Sequence, residues 1–184
     1  MKHIFAMTAL AAALGAGLPA LAAATLGSSD VKFAQKAASG GMAEVELGKL
    51  AQQKAVREET KQFATRMVED HGKANDELSR IASSNNVNLP QQMDKDTRKE
   101  MDKLQKLTGM DFDRAYMKHM VKDHKKDVKE FRHEASSKRE NDVTAFAQRT
   151  LPTLQEHLAM AEKTNDIAQA SKHEGNRVVG STRP

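Results

Sequence analysis

Apolar residues recur at steps of three and four along four long stretches of the chain, which is the period of an α-helix with one buried face. No stretch shows the alternation of apolar and polar residues that is typical of a β-strand. Four amphipathic stretches with one long connection in the middle predict an all-α four-helix bundle. The predicted helices cover residues 30–55, 58–84, 111–137 and, starting at 141 or 142, residues up to 170.

The connection between the second and third stretches, residues 85–110, is long and has a helical pattern of its own. It begins with Leu89-Pro90, carries a short helix predicted over 94–107 and is interrupted by Gly109. Such a length suits a crossover between the two halves of a bundle. Periodicity leaves open whether the helices run up-down-up-down or in the ferritin-like order with a lengthwise crossover.

Two features interrupt the long helical patterns. Gly40-Gly41 weakens the first helix, because an interior glycine costs about 1 kcal/mol relative to alanine, so Met42 is an alternative start. Pro152 lies inside the fourth pattern, where it predicts either a kink or the true start of the helix, because proline removes a backbone donor.

The first residues predict export. Lys2 is followed by an apolar run and by Ala20-Leu21-Ala22, a small-x-small cleavage site, as in a secretory signal peptide. The bacterial periplasm is the predicted location, with no transmembrane span in the mature chain. The predicted organisation is a signal peptide over 1–24, a helical bundle over 25–170 and a disordered tail over 171–184.

Composition narrows the classes of function. The 184 residues carry a formal net charge of only +4, with one tyrosine and no tryptophan. Neither the charge nor the aromatic content fits a nucleic-acid-binding protein, so we expect no nucleic acid as partner. The chain contains no cysteine, which excludes disulfides and thiolate metal sites. Any metal site has to use histidine, carboxylate or methionine.

The sequence Met-Val-x-Asp-His occurs twice, at 67–71 and 120–124, in the middle of the second and third long helices. His71 and His124 each lie seven residues from apolar residues on both sides, which places them on the buried stripes. A buried histidine has to hydrogen-bond, pair with a carboxylate or bind a metal, because an unsatisfied buried polar group costs about 1 to 3 kcal/mol.

The other two long helices offer a polar residue at a similar height. Glu44 shares the apolar stripe of the first helix, and Glu46 points away from it. Counted from their connecting turns, Glu44 and His71 differ in height by about 4.5 Å, as do His124 and His157. One ligand side chain from each helix at one level is how bundles build internal metal sites. The candidate metal ligands are Glu44, His71, His124 and His157, with Asp70, Asp123 and Asp127 as supporting or alternate ligands.

A metal-free explanation of the same residues stays open. A lone inward histidine is more often a hydrogen-bonded core residue than a metal ligand. Each of His71, His124 and His157 has a methionine three or four residues away, namely Met67, Met120 and Met160 in that order. Methionine sulfur at this spacing would suit a cuprous ion. Methionines at helical spacing usually fill the core instead. His119 is expected to be exposed and receives no role.

A combination of segments spread over residues 30–168 is specific enough to compare with a known family. The segments are 41–51, the two Met-Val-x-Asp-His repeats, Phe112-Asp113 with Tyr116, and Leu151-Pro152 with His157. The combination resembles an exported bacterial family of domains of unknown function that is assigned to the ferritin-like superfamily. Its members are often labelled outer membrane proteins. Because no alternating strand pattern is present, we do not take that label as a structural description.

The ferritin-like superfamily implies a dimetal carboxylate site, with a glutamate from each of two helices and Glu-x-x-His from the other two. This chain departs from that pattern, because Val68, Val121 and Leu154 stand three residues before the histidines. The departure argues against ferroxidase or oxygen-activating chemistry. The remaining set, three histidines and a carboxylate, suits zinc, iron or copper better than magnesium or calcium.

Two functions are compatible with the sequence. The first is a periplasmic ferritin-like bundle that binds a transition-metal ion in envelope stress or metal handling, with no assigned reaction. The second is a metal-free structural or interaction module of the cell envelope, in which the core histidines are hydrogen-bonded and the basic surface engages an envelope partner. Convergence of the four side chains within about 4 Å of one point would favour the first.

Overall fold

The computed structural model describes residues 25–180, which form five α-helices and no strand. The all-α prediction is confirmed, and the second helix has the predicted bounds. The predicted signal peptide at 1–24 and the end of the predicted tail at 181–184 lie outside the described residues. The helices are α1 Ser28–Lys54, α2 Glu58–Ser84, α3 Lys95–Gln105, α4 Gly109–Ala135 and α5 Asp142–Gly180.

Neither interruption in the sequence pattern ends its helix. α1 runs without a break through Gly40 and Gly41, so the alternative start at Met42 is wrong. Pro152 lies inside α5 and does not mark its start. α5 is assigned as far as Gly180, beyond the bundle end predicted at residue 170. None of the described helices combines the length and the apolar character that crossing a membrane requires.

Hydrogen bonds at the two ends of the bundle set the directions of the helices. At one end, the Asp113 carboxylate at the start of α4 accepts from the backbone N–H groups of Val56 (3.1 Å) and Arg57 (2.8 Å), between α1 and α2. At the other end, Arg139, between α4 and α5, donates to Asp30 at the start of α1 (2.7 Å). α4 therefore begins where α1 ends, and it ends where α1 begins.

The helices form two antiparallel pairs, α1 with α2 and α4 with α5, each joined by a short turn. Contacts of α2 with α5 and of α1 with α4 hold the pairs together, and α3 packs on α1 and α4. Because α4 starts at the end where α2 also starts, these two helices run in the same direction. The connection between them, which contains α3, therefore runs along the length of the bundle.

The core consists of two apolar clusters, one towards each end of the bundle. The first apolar cluster lies near the α1–α2 turn and includes Leu47, Phe63, Met67, Tyr116 and Met120. The second apolar cluster lies near the α4–α5 turn and includes Phe33, Leu78, Phe131, Phe146 and Leu154. Along every long helix, a short stretch between the residues of the two clusters is left for polar side chains.

Two carboxylates, Asp30 and Glu134, are buried near the α4–α5 turn. Arg139 donates to both, at 2.7 Å to Asp30 and at 3.1 and 3.2 Å to Glu134. Asn141 donates to Asp30 and the Thr144 hydroxyl donates to Glu134. Buried charges persist when they are paired and hydrogen-bonded in this way. These paired residues lie at the end of the bundle opposite the α1–α2 turn.

Gly48 allows α1 and α2 to approach closely. A Cβ added to Gly48 would lie 2.9 Å from Cγ2 of Val68 and 3.1 Å from the carbonyl oxygen of Ala64, both on α2. These distances are shorter than the 3.5 to 4.0 Å of favourable contact between non-bonded carbon atoms. Gly40, on the same helix, would have nothing within 4 Å of an added Cβ.

The substitution Asp113→Ala should lower the free energy of unfolding by about 2 to 4 kcal/mol, because two backbone N–H groups lose a charged acceptor. Urea unfolding followed by circular dichroism measures the effect. Asp102→Ala, an exposed acid on α3, is the control and should change stability by less than about 0.5 kcal/mol. Equal midpoints for the two variants would contradict the role given to Asp113.

The same substitution at two glycines of α1 should have opposite effects. Gly48→Ala should lower the free energy of unfolding by about 1 to 3 kcal/mol, because α1 and α2 would have to move apart. Gly40→Ala should raise it by up to about 1 kcal/mol, because alanine favours the helix and meets no neighbour. Thermal unfolding of both variants checks the pair, and a stable Gly48→Ala variant would refute the close approach.

Candidate metal centre

Four polar side chains, one from each long helix, meet between the two apolar clusters. They are Glu44 on α1, His71 on α2, His124 on α4 and His157 on α5, and we call them the histidine layer. Glu44 is 1% exposed, His71 is 6% exposed, and the other two are fully buried. The spacing that predicted Glu44, His71 and His124 on the apolar stripes, and His157 at the edge of one, agrees with their burial at one level. Their role as metal ligands stays a prediction.

Glu44 is the centre of the layer. Its Oε2 accepts from Nδ1 of His71 at 2.8 Å. Its Oε1 lies 3.4 Å from Nε2 of His124, which is within ion-pair distance, but the geometry is not that of a hydrogen bond. One buried carboxylate on α1 thus contacts histidines on both neighbouring helices, α2 and α4.

The remaining two histidines are held by groups outside the layer. Nδ1 of His124 lies 3.0 Å from the carbonyl oxygen of Met120, one turn earlier on α4. Nε2 of His157 lies 3.0 Å from Oδ2 of Asp70, and the same oxygen accepts from Arg66 at 2.7 Å. Asp70, the neighbour of His71 in the repeat, therefore orients the histidine of α5 and not that of α2.

These contacts leave one nitrogen of each ring without a hydrogen-bond partner. A carbonyl oxygen or an ionised carboxylate only accepts, so the bonded nitrogens carry the hydrogens. In the neutral rings the lone pair then lies on Nε2 of His71, Nε2 of His124 and Nδ1 of His157. All three atoms are buried and unpartnered among the described residues, as is Oε1 of Glu44.

The three imidazole rings form a triangle. Their centroids are 5.7 Å apart for His71 and His124, 5.2 Å for His71 and His157, and 5.5 Å for His124 and His157. One ring nitrogen from each lies within 4.8 Å of the other two. Three nitrogen donors of three different helices thus surround one small volume in the core.

Burial and the neighbouring histidines act in opposite directions on Glu44. Burial alone would raise the pKa of this carboxyl, but the charges of His71 and His124 and the hydrogen bond from His71 lower it to about 2. For His71, burial alone would lower the pKa, and the Glu44 carboxylate raises it above its ordinary value. Each of the two groups therefore stabilises the charged form of the other.

The pKa of His157 is shifted in the opposite direction from that of His71. Burial, together with the charges of the other two histidines, lowers the pKa of His157 to about 4 in spite of the hydrogen bond to Asp70. Burial would raise the pKa of Asp70, but the hydrogen bonds from His157 and Arg66 lower it. At neutral pH the layer therefore offers a neutral imidazole on α5 that is anchored to an ionised carboxylate.

Asp123 and Asp127 lie beside Glu44 and not among the histidines. One carboxylate oxygen from each of Glu44, Asp123 and Asp127 lies within 4.8 Å of the others, and we call these residues the acidic cluster. Burial and the charge of Glu44 raise the pKa of Asp123, and the same causes with the charge of Asp123 raise that of Asp127 to about 9. The cluster lines a cavity of about 280 Å³.

A sequence model of the family described as a domain of unknown function, DUF4142, matches residues 16–164. The chain belongs to this family. All residues of the histidine layer and of the acidic cluster fall inside the matched segment. No curated protein and no solved structure shows a significant match to the chain. The family description assigns no activity, so the chemistry of this DUF4142 domain has to be argued from its residues.

Two expectations about side chains near the layer had different outcomes. Met67 and Met120 are fully buried in the first apolar cluster, so they fill the core there. His119, which was expected to be exposed, is half-buried, and its Nε2 has no hydrogen-bond partner among the described residues. His119 lies one turn before Asp123 on α4. Because it is not on the apolar stripe of that helix, the sequence pattern did not predict its burial.

In this DUF4142 domain, Glu44→Gln should lower the pKa of His71 from above its ordinary value to below it. The carboxylate is what raises that pKa, and burial alone lowers it. Titration of the ring signals by NMR measures the change. Glu46→Gln is the matched control, because Glu46 pairs with Lys49 away from the layer. An unchanged titration of His71 in Glu44→Gln would contradict the assigned ion pair.

Proposed function

We propose that this chain is an exported ferritin-like bundle whose histidine layer binds one transition-metal ion, in metal handling or stress defence of the cell envelope. The observation that carries the proposal is that three buried histidines each keep one ring nitrogen without a partner among the described residues and each offer a nitrogen within 4.8 Å of the other two. No reaction is assigned to the site.

A metal ion would satisfy the three unpartnered nitrogens of the histidine layer at once. Each would otherwise cost about 1 to 3 kcal/mol as a buried polar atom without a partner. The second nitrogen of each ring is already bonded to a carbonyl or carboxylate oxygen, which is the usual arrangement around a metal-bound histidine. Nitrogens around a tetrahedral ion are about 3.3 Å apart, which is compatible with ring nitrogens that lie within 4.8 Å of one another.

The donor set limits the choice of metal. Three imidazole nitrogens, with the Glu44 carboxylate beside them, suit zinc, copper or iron, whereas magnesium and calcium prefer oxygen ligands throughout. Val68, Val121 and Leu154 occupy the positions where Glu-x-x-His would supply bridging carboxylates. We therefore propose binding without the oxygen chemistry of a di-iron centre.

The fold and the start of the chain support the other parts of the proposal. Two antiparallel helix pairs, joined by one crossover along the bundle, have the connectivity of ferritin-like proteins. The leader with Lys2, the apolar run and Ala20-Leu21-Ala22 supports export to the periplasm.

A metal-free structural module is the second candidate. It is favoured by the bonds that Glu44 makes to His71 and that Asp70 makes to His157, because these already satisfy part of the layer. The weakness of this candidate is the remaining unpartnered atoms, one on each of the three histidines and one on Glu44. A layer kept only for hydrogen bonding would be expected to leave fewer buried atoms unsatisfied.

Elemental analysis of the protein purified from its own compartment tests the proposal. We expect about one transition-metal ion per chain in the wild type, and loss of that metal in His71→Ala and His124→Ala, because each removes a ligand. His133→Ala, an exposed histidine of α4, is the control and should keep the metal. Circular dichroism establishes that the variants are folded. A wild type without stoichiometric metal would favour the structural module.

A further inference from the structure

A cavity of about 280 Å³ lies next to the histidine layer and is lined by residues of α1, α2, α4 and α5. Glu44 and His71 belong to its wall, together with Asp123 and Asp127 of α4. Asp94 and Thr97, at the start of α3, also line it. A liquid water occupies about 30 Å³, so the cavity has room for an ion that keeps several of its waters.

The carboxylates of the acidic cluster line this cavity, and Glu44 is the member that is paired with histidines of the layer. Asp123 and Asp127 are half-buried, and neither forms a hydrogen bond or an ion pair within the part of the chain whose side chains are described. Glu44 is 1% exposed, and its Oε1 has no hydrogen-bond partner there either. Lys126 is close enough to act on both aspartates, but its side chain is exposed and forms no ion pair with them.

Like charges held together in a partly dry site repel one another, and a cation between them removes that cost. We propose that the cavity contains a second metal site, at which Glu44, Asp123 and Asp127 bind a hard divalent cation such as Mn²⁺ or Mg²⁺. The site shares Glu44 with the histidine layer, and its other two donors, Asp123 and Asp127, belong only to the acidic cluster. It consists of carboxylate oxygens, with water filling the remaining positions.

The chemistry of the donors sets the selectivity. Small hard cations are bound by one to three carboxylates and keep several waters, whereas the imidazole donors of the layer favour softer ions. Glu44 is common to both sites, because its Oε2 accepts from His71 while the same carboxylate belongs to the acidic cluster. His157 belongs only to the layer, and Asp127 belongs only to the acidic cluster. Each site can therefore be removed without the other.

Titration with Mn²⁺, followed by the electron paramagnetic resonance signal of the free ion, tests the second site. The metal-free full chain should remove about one equivalent of Mn²⁺ from solution. Asp127→Asn and Asp123→Asn should each weaken binding by about tenfold or more, because each replaces a carboxylate ligand by a neutral amide of similar shape. Asp102→Asn, an exposed acid on α3, is the matched control and should bind Mn²⁺ as the wild type does.

A second arm separates this proposal from the proposed function of the histidine layer. His157→Ala should bind Mn²⁺ as tightly as the wild type and lose zinc, and Asp127→Asn should keep zinc. A wild type that binds no zinc but still binds Mn²⁺ would overturn the layer and leave the second site standing. The second site is overturned if the wild type leaves the free Mn²⁺ signal unchanged, or if both aspartate variants bind as tightly as the wild type.

Discussion

The structure depends on one constraint, which is that a layer of polar side chains is buried between two apolar clusters. The layer takes one side chain from each of the four long helices: Glu44, His71, His124 and His157. Glu44 contacts His71 and His124, and the ring of His157 lies beside that of His71. A shift of any helix by one turn, about 5.4 Å, would place a polar side chain against apolar neighbours and an apolar one in the layer. The cost of burying these polar side chains against apolar ones therefore favours the register in which the four meet.

Buried carboxylates at the two ends maintain that register. Asp113 joins the start of α4 to the α1–α2 turn, and Arg139 joins Asp30 to Glu134 near the α4–α5 turn. Because the ends are tied, the direction of α4 against α1 is determined, and the layer forms at the middle. Gly48 adds the close approach of α1 and α2. The polar groups that specify the fold are thus distributed over three levels of the bundle.

The functional argument follows from what the layer leaves unsatisfied. The carboxylates of a di-iron centre would bridge two ions, and valine or leucine occupies those positions here. What is left is an imidazole triangle anchored from outside by Met120 and Asp70, and a carboxylate cavity on the other side of Glu44. Glu44 is the residue on which both proposals depend, because it contacts the histidines and belongs to the acidic cluster.

The sequence by itself determined the helices and the inward direction of Glu44, His71 and His124, and it placed His157 at the edge of an apolar stripe. It did so because the helical period is local: a side chain seven residues from an apolar neighbour shares its face wherever the helix packs. Only the tertiary structure decided which polar groups meet across helices. Asp70 pairs with a histidine 87 residues away and Arg139 with an aspartate 109 residues away. The crossover, and the turn of Asp123 and Asp127 towards Glu44, depend in the same way on how whole helices are placed, which no local pattern encodes.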